Sequence, residues 1–167
     1  MALKLAKAMR AKVTLFSRSS NKVQDAYRLG ADEVVLSTDA AQMASRAGTF
    51  DLIIDTVLYD HDVNPYLPTL ASYGGLVLVG YMGPLSQVNA GTLVYGRRSL
   101  AGSFIGGIAE TQEMLDFCGA HNVTSDVEVI SIQDINDAYE RMLKGAVKYR
   151  FVIDLSSLGR DRPESRQ

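Results

Sequence analysis

The chain has 167 residues, 47% of them hydrophobic and 22% charged, and a net charge of −2. That is enough for one moderate core, and the near-neutral balance gives no electrostatic basis for binding nucleic acid or an anionic membrane. The single Cys118 cannot close an intramolecular disulfide, and with only His61 and His121 beside it there is no four-ligand zinc set, so a reducing cytoplasm is expected.

Met1–Met9 predicts an amphipathic helix with Leu5 and Met9 facing a core and Lys4 and Lys7 outward. Its lysines lie within it rather than ahead of an apolar run, and no apolar run reaches the ~20 residues of a membrane span, so neither a signal peptide nor an anchor is expected. Lys12–Phe16 predicts a strand, and Ser19, Ser20 and Asn21 are capping types before a helix that ends at Gly30. Asp32–Leu36 reads as a strand, Asp39–Arg46 as a short helix, and Asp51–Val57 as a strand whose continuous apolar run predicts burial on both faces. A helix over Asn64–Ser72, a turn at Gly74-Gly75, strand Leu76–Val79, a helical turn at Ala90–Tyr95 and strand Ser99–Phe104 follow. Thr111, Met114, Leu115 and Cys118 share one helical face, and Val127–Ile132 predicts a strand. Ile135, Ala138, Tyr139, Met142 and Leu143 give a helical stripe closed by Gly145, and Tyr149–Leu155 is the last strand. Gly159–Gln167 is charged, contains Pro163 and has no apolar residue, so a disordered tail is expected over 156–167.

Strands alternating with helices predict an α/β fold with a doubly wound, Rossmann-like parallel sheet and right-handed crossovers. In such a unit the residue ending the second strand selects the cofactor, because a carboxylate there binds both ribose hydroxyls of NAD and repels a 2′-phosphate. Ser17 holds that position, followed by Arg18, Ser19 and Lys22: hydroxyls and two cations around one point, with a helix N-terminus behind them. This set suits a dianionic phosphate. The plainer alternative is that the serines cap a helix and the cations are solvated. Asp60-His61-Asp62 has the look of a metal trio; Cys118 reads as core, and His121 has no visible partner.

The run Lys12-Val-Thr-Leu-Phe-Ser-Arg-Ser-Ser-Asn-Lys22 with Leu29-Gly-Ala-Asp32 resembles zinc-dependent medium-chain alcohol dehydrogenases of the cinnamyl-alcohol dehydrogenase type. Asp51-Leu-Ile-Ile-Asp-Thr-Val57, Asn64-Pro-Tyr-Leu67, Gly96-Arg-Arg-Ser99, Gly102-Ser-Phe-Ile-Gly106, Glu113-Met-Leu-Asp-Phe-Cys118 and Tyr149-Arg-Phe-Val-Ile-Asp154 agree in order and spacing with that family's C-terminal portion. The resemblance covers roughly residues 1–155.

The resemblance implies an NADP(H) site. Ser17, Arg18, Ser19 and Lys22 match positions that hold the 2′-phosphate, Thr56 and Val57 the turn under the riboses, Val79, Gly80, Ser103, Phe104 and Ile105 backbone lining the nicotinamide, and Arg150 a basic residue reaching the pyrophosphate. Each has a simpler alternative: a strand end at Thr56-Val57, a turn glycine at Gly80, an Arg150–Asp154 ion pair. Arg10 stands where the family commonly has Gly in a helix-to-strand turn. The glycine-rich phosphate loop and first strand expected ahead of the first helix are absent from this sequence, as are the family's zinc ligands. The implied organisation is an incomplete Rossmann domain over 1–104, a segment over 105–155 that in the family returns to the catalytic domain, and the tail. The implied activity is hydride transfer between NADP(H) and a primary alcohol or aldehyde, with zinc expected in the full-length family and this chain inactive alone. The alternative is a non-enzymatic remnant that binds nucleotide weakly or associates with a full-length paralogue. A homodimer or self-association is expected, since strand Leu100–Phe104 resembles the family's dimer edge and the sheet order 3-2-1-4-5-6 would lack its central strand.

Overall fold

The computed structural model describes residues 1–80, 83–144, 146–147 and 149–159. It divides into two compact units, one spanning Ala2–Val123 and the other beginning at Thr124.

The first unit opens with helix α1 (Ala2–Ala8), turns at Arg10 and enters strand β1 (Thr14–Ser17). Arg10 has φ of 64°, the left-handed conformation for which glycine is the usual residue. A short 3-10 turn (Ser20–Lys22) leads into α2 (Val23–Arg28), then β2 (Glu33–Leu36), which pairs parallel to β1 with Thr14 opposite Glu33 and Ser17 opposite Leu36. Asp32 ties these pieces together: its carboxylate accepts from Lys7 Nζ at 2.8 and 2.9 Å and from the Val13 N–H at 2.7 Å. Asp39 caps α3 (Ala40–Ala44), accepting from the N–H groups of Ala41 and Gln42.

Strand β3 (Phe50–Asp55) pairs parallel to β4 (Leu70–Leu78), which pairs parallel to β5 (Ser99–Gly102). Helix α4 (Ala90–Gly96) connects β4 to β5, and α5 (Ile108–Ala120) follows. The core is Ile53, Leu67, Leu70 and Leu76, with Phe16, Phe50 and Tyr66 packed around it. Phe16 meets Phe50 and Tyr66 edge-on at 5.3 and 5.2 Å, so β1 touches the second sheet through rings.

The architecture is the expected Rossmann-like α/β arrangement, with its sheet in two pieces. In the order 3-2-1-4-5-6, β2 and β1 take positions 3 and 2, and β3, β4 and β5 take positions 4, 5 and 6; no strand among the described residues pairs between β1 and β3.

Several local expectations are corrected. The helix expected over Asn64–Ser72 is only a 3-10 turn (Leu67–Thr69), and the strand already begins at Leu70. Pro68 has no N–H to give a helix and clashes with the turn before it, while the Thr69 hydroxyl donates to the Tyr66 carbonyl at 2.6 Å and closes the turn locally. Gly74 and Gly75 do not form a turn. They lie inside β4, where the register jumps from Phe50 opposite Leu70 to Leu52 opposite Gly75, a bulge entered through Tyr73 at φ 66°. Continuous hydrophobicity in β3 also does not bring burial on both faces: Ile53 is 8% exposed, but Leu52 and Ile54 are 56% and 49% exposed. The Leu67–Leu70 segment covers one face only.

The second unit holds β6 (Glu128–Ser131), a 3-10 turn (Ile132–Asp134), α6 (Ile135–Leu143), β7 (Phe151–Asp154) and a last turn (Leu155–Ser157). β6 and β7 are parallel, with Glu128 opposite Phe151. Arg141 grips Glu128 through two bonds of 2.6 and 2.8 Å and lies over the Phe151 ring. Buried Ser157 accepts from the Ile132 N–H and, through its carbonyl, from Gln133. Of the α6 stripe only Ala138 is buried; Tyr139, Met142 and Leu143 are exposed. The expected helix stop at Gly145 and residues 160–167 of the expected tail lie outside the described residues.

Candidate functional site

Parallel strands put their carboxyl ends at one edge of a sheet, and in open α/β sheets ligands bind there. Ser17 ends β1, Thr56 and Val57 follow β3, Val79 and Gly80 follow β4, and Ser103, Phe104 and Ile105 follow β5. The sequence-predicted residues of the first unit therefore all lie at carboxyl ends of strands.

At the end of β1 the Ser17 hydroxyl donates to the Ser19 carbonyl at 2.8 Å, folding the loop back on itself. Ser19 makes no side-chain cap; its hydroxyl donates to Asn21 Oδ1 instead, which corrects the expectation that these residues cap the helix. Lys22 closes the 3-10 turn, exposed. Arg18 reaches across to Tyr59, its guanidinium carbon 5.1 Å from the ring centre and its Nη2 donating to the tyrosine hydroxyl.

The loop after β3 is pinned by the strand's last residue. Asp55 Oδ1 accepts from the Val57 N–H at 2.9 Å, and Oδ2 lies 2.8 Å from His61 Nε2. The Asp55 and His61 side chains are 8% and 19% exposed, so the pair is largely out of solvent. His61 thus belongs to a structural pair rather than a metal trio with Asp60 and Asp62. Among the described residues, no group of three or more His, Cys, Asp or Glu side chains could hold a metal ion. The sequence carries no signal for this pair, since a spacing of six residues across a loop follows no helix or strand period.

Gly80 is packed against this loop. A Cβ there would stand 2.2 Å from the Val57 carbonyl oxygen, so only glycine allows the ends of β3 and β4 to approach this closely. Its N–H and that of Val79 both point to the Asp55 carbonyl, at 3.3 and 2.9 Å. Gly80 is therefore more than a turn glycine.

The Ser103 N–H donates to the Leu78 carbonyl at 2.9 Å and carries the β4–β5 ladder one residue further. Beyond it a cleft of about 430 Å³ is lined by Ser103, Phe104, Ile105, Gly106, Glu110 and Met114, among others. Phe104 and Ile105 are 84% and 81% exposed on its wall. Glu110 accepts from the Gly107 N–H at 2.7 Å and fixes the start of α5 beside it. Cys118 is buried on α5 with its thiol 3.6 Å from Met114 Sδ, as a core residue. His121, expected to lack a partner, stacks on Phe117 at 4.1 Å.

Arg150 lies in the second unit, just before β7, where its carbonyl accepts from the Glu128 N–H at 2.9 Å. The Asp154 carboxylate accepts from the N–H and hydroxyl of Ser156.

Hydroxyls and cations in the loop after β1, a glycine-tight turn where β3 and β4 end and an open cleft beyond β5 lie along the carboxyl edge at which open α/β sheets bind ligands. The sequence profile of zinc-binding dehydrogenases matches residues 1–120. The chain belongs to the zinc-binding dehydrogenase family. Within it, the chain is of the medium-chain, cinnamyl-alcohol dehydrogenase type. It is 48% identical over 157 residues to alcohol dehydrogenase 9 of Catharanthus roseus, covering 93% of this chain and 44% of that protein. It is also 48% identical over 159 residues to aldehyde reductase YahK of Escherichia coli, covering 95% and 46%. A solved cinnamyl alcohol dehydrogenase from Sorghum bicolor superposes with a TM-score of 0.89 at 43% identity, covering 98% of this chain and 46% of that one. A Helicobacter pylori cinnamyl alcohol dehydrogenase complexed with NADP(H) gives 0.78 at 36% identity, covering 93% and 44%. The chain thus spans less than half the length of these relatives. Among the described residues, no helix is long and apolar enough to cross a membrane.

Proposed function

We propose that this chain supplies the NADP(H)-binding part of a zinc-type alcohol dehydrogenase that interconverts primary alcohols and aldehydes. The observation that carries the reading is Ser17 at the carboxyl end of β1, where a carboxylate would select NAD, with Arg18 and Lys22 beside it. The residues fit the cofactor. The Arg18 and Lys22 cations match a 2′-phosphate in charge, and the Ser17 and Ser19 hydroxyls, which here donate to the Ser19 carbonyl and Asn21 Oδ1, would turn their protons to it on binding. The Thr56–Val57 turn, braced by Asp55, offers backbone to the riboses. Val79, Gly80 and the exposed Ser103–Ile105 segment offer a wall for the nicotinamide, and Arg150 matches a basic residue that in the family reaches the pyrophosphate. The bound cofactor supplies or accepts hydride, and in full-length relatives zinc polarises the alcohol oxygen. What this chain's residues do is select the phosphate and give the ring a face to lie against.

The test joins this chain to the amino-terminal half of a relative. NADPH is expected to bind more tightly than NADH, and Ser17→Asp to reverse the order, shifting the preference by about 10- to 100-fold as one charge-assisted contact becomes a like-charge clash. Equal affinities before and after the substitution in calorimetry overturn the reading. A second reading, a non-catalytic piece that associates with a full-length paralogue, is favoured by β1 and β3 each pairing on one side only among the described residues. The genomic sequence upstream of Met1 separates the two: in-frame codons for a glycine loop and zinc-ligand cysteines favour the enzyme, and a stop or frameshift favours the associated piece.

A further inference from the structure

Arg18 is a long, exposed side chain, and a guanidinium left free must lose most of its torsional freedom before it can grip a phosphate. Here it is not left free. Its guanidinium carbon lies over the Tyr59 ring, 5.1 Å from the centre, and its Nη2 donates to the Tyr59 hydroxyl. Tyr59 sits in the neighbouring loop, 41 positions along the chain, and that loop is itself held from behind. His61 Nδ1 lies 3.1 Å from the Tyr59 carbonyl and Nε2 lies 2.8 Å from Asp55, so both ring nitrogens face oxygen acceptors and the imidazole acts as a strut between loop and strand end. The His61 ring also meets Tyr66 edge-on at 6.4 Å, and Tyr66 packs on Phe16 of β1.

We propose that Tyr59 is a positioning residue for cofactor selection: it pre-orders Arg18 at the 2′-phosphate pocket, so that discrimination by the loop after β1 depends on a residue of the loop after β3. The proposal rests on the reading of Ser17, Arg18, Ser19 and Lys22 as that pocket. Its physical content is preorganisation. A cation held in place before binding leaves less ordering to be done when the phosphate arrives. The stacking face and the hydroxyl bond hold the guanidinium at one end only, leaving further N–H donors for the ligand. Because Tyr59 acts through Arg18, its effect falls on nucleotides that carry a 2′-phosphate and not on those that lack one.

The experiment measures binding of adenosine 2′,5′-bisphosphate and of adenosine 5′-monophosphate to the full chain by equilibrium dialysis, with circular dichroism as the check on folding. In the unsubstituted chain the bisphosphate is preferred. Tyr59→Ala is expected to shrink that preference about 5- to 10-fold, and Tyr59→Phe, which keeps the ring and loses the hydroxyl, about 2- to 3-fold. Monophosphate binding stays within about twofold in both, since the change is confined to Arg18. Arg18→Ala is expected to lower the preference at least as far as Tyr59→Ala, and the double variant to match Arg18→Ala alone. If Arg18→Ala lowers the preference while both Tyr59 variants leave it intact, or if the two effects simply add, the proposal is overturned and the phosphate pocket stands. An equal loss for both nucleotides in the Tyr59 variants makes the role structural and also overturns it. Should Tyr59→Ala fail to fold, Tyr59→Phe decides by the same criteria. No preference in the unsubstituted chain, or none lost in Arg18→Ala, overturns the pocket and the proposal with it.

Discussion

At Gly80 a single hydrogen atom decides how two strands end. With the Val57 carbonyl oxygen 2.2 Å from where a Cβ would stand, the collision is with backbone, which cannot swing aside as a flexible side chain would. Gly80→Ala is therefore expected to destabilise the fold by about 1–3 kcal/mol, read as a lower denaturation midpoint, and to weaken nucleotide binding along with it. A variant that melts with the unsubstituted chain would mean that the β3 and β4 ends are not in contact. Ser17 shows how much a residue can reveal through position alone: serine is unremarkable, yet at a strand end it reports a missing carboxylate. Arg10 was legible only as a departure, a residue where the family commonly has glycine, and the turn there adopts φ of 64°. The Arg18–Tyr59 and Asp55–His61 contacts were not legible. They join side chains whose spacing carries no periodic signal and whose meeting depends on how two loops settle.

Between elements, Asp32 joins α1, β1 and β2. The Lys7 ammonium that donates to its carboxylate, and then the Val13 N–H, hold the Asp32 carboxyl below the usual aspartate range. A carboxyl depressed in the folded state stabilises fully above its unfolded value of about 3.9 and loses that contribution as pH falls through the lower folded value. Thermal melts from pH 6 to pH 3 are expected to show the unsubstituted chain losing Tm more steeply below about pH 4 than Asp32→Asn, which is less stable at neutral pH and flatter in acid. Identical slopes would show that this carboxylate does not tie the elements together. Most elements were readable because apolar spacing and punctuation agree, as at α3, where Asp39 sits one residue before the helix it caps. The exceptions are physical. Over Asn64–Ser72 a helix-like apolar spacing competes with Pro65 and Pro68, and the prolines win. At Tyr73–Gly75 two glycines that look like a turn serve a bulge, because Gly74 has the Phe50 carbonyl oxygen 2.9 Å from where its Cβ would stand. In β3 a continuous apolar run promised two covered faces, but the pattern encodes what the strand would accept and not what is there to cover it.

For the whole molecule, exposed apolar surface sets the behaviour. Leu52 and Ile54 on β3, Tyr95 on α4, and Phe104, Ile105 and Ile108 around the start of α5 are all exposed, and apolar side chains left in water in this number favour association. Light scattering of the isolated chain is expected to show dimers or larger species, and Leu52→Lys with Ile54→Lys to shift the population toward monomer. A monodisperse monomer at micromolar concentration would contradict this. The division of the sheet has a further consequence, in time rather than in space. β1 and β2 form a two-stranded ladder joined to the core cluster through the Phe16 ring, whereas β4 is paired on both sides. A two-stranded pair is marginal by itself, so the strand that carries Ser17 opens without first breaking the β3–β4–β5 ladder. Amide hydrogen exchange is expected to resolve two classes, with Phe16 and Ser17 exchanging at markedly lower opening free energy than Leu76 and Val77. Nucleotide should protect the first class selectively. The residues proposed to select the cofactor would then be among the last to settle and the first to let go.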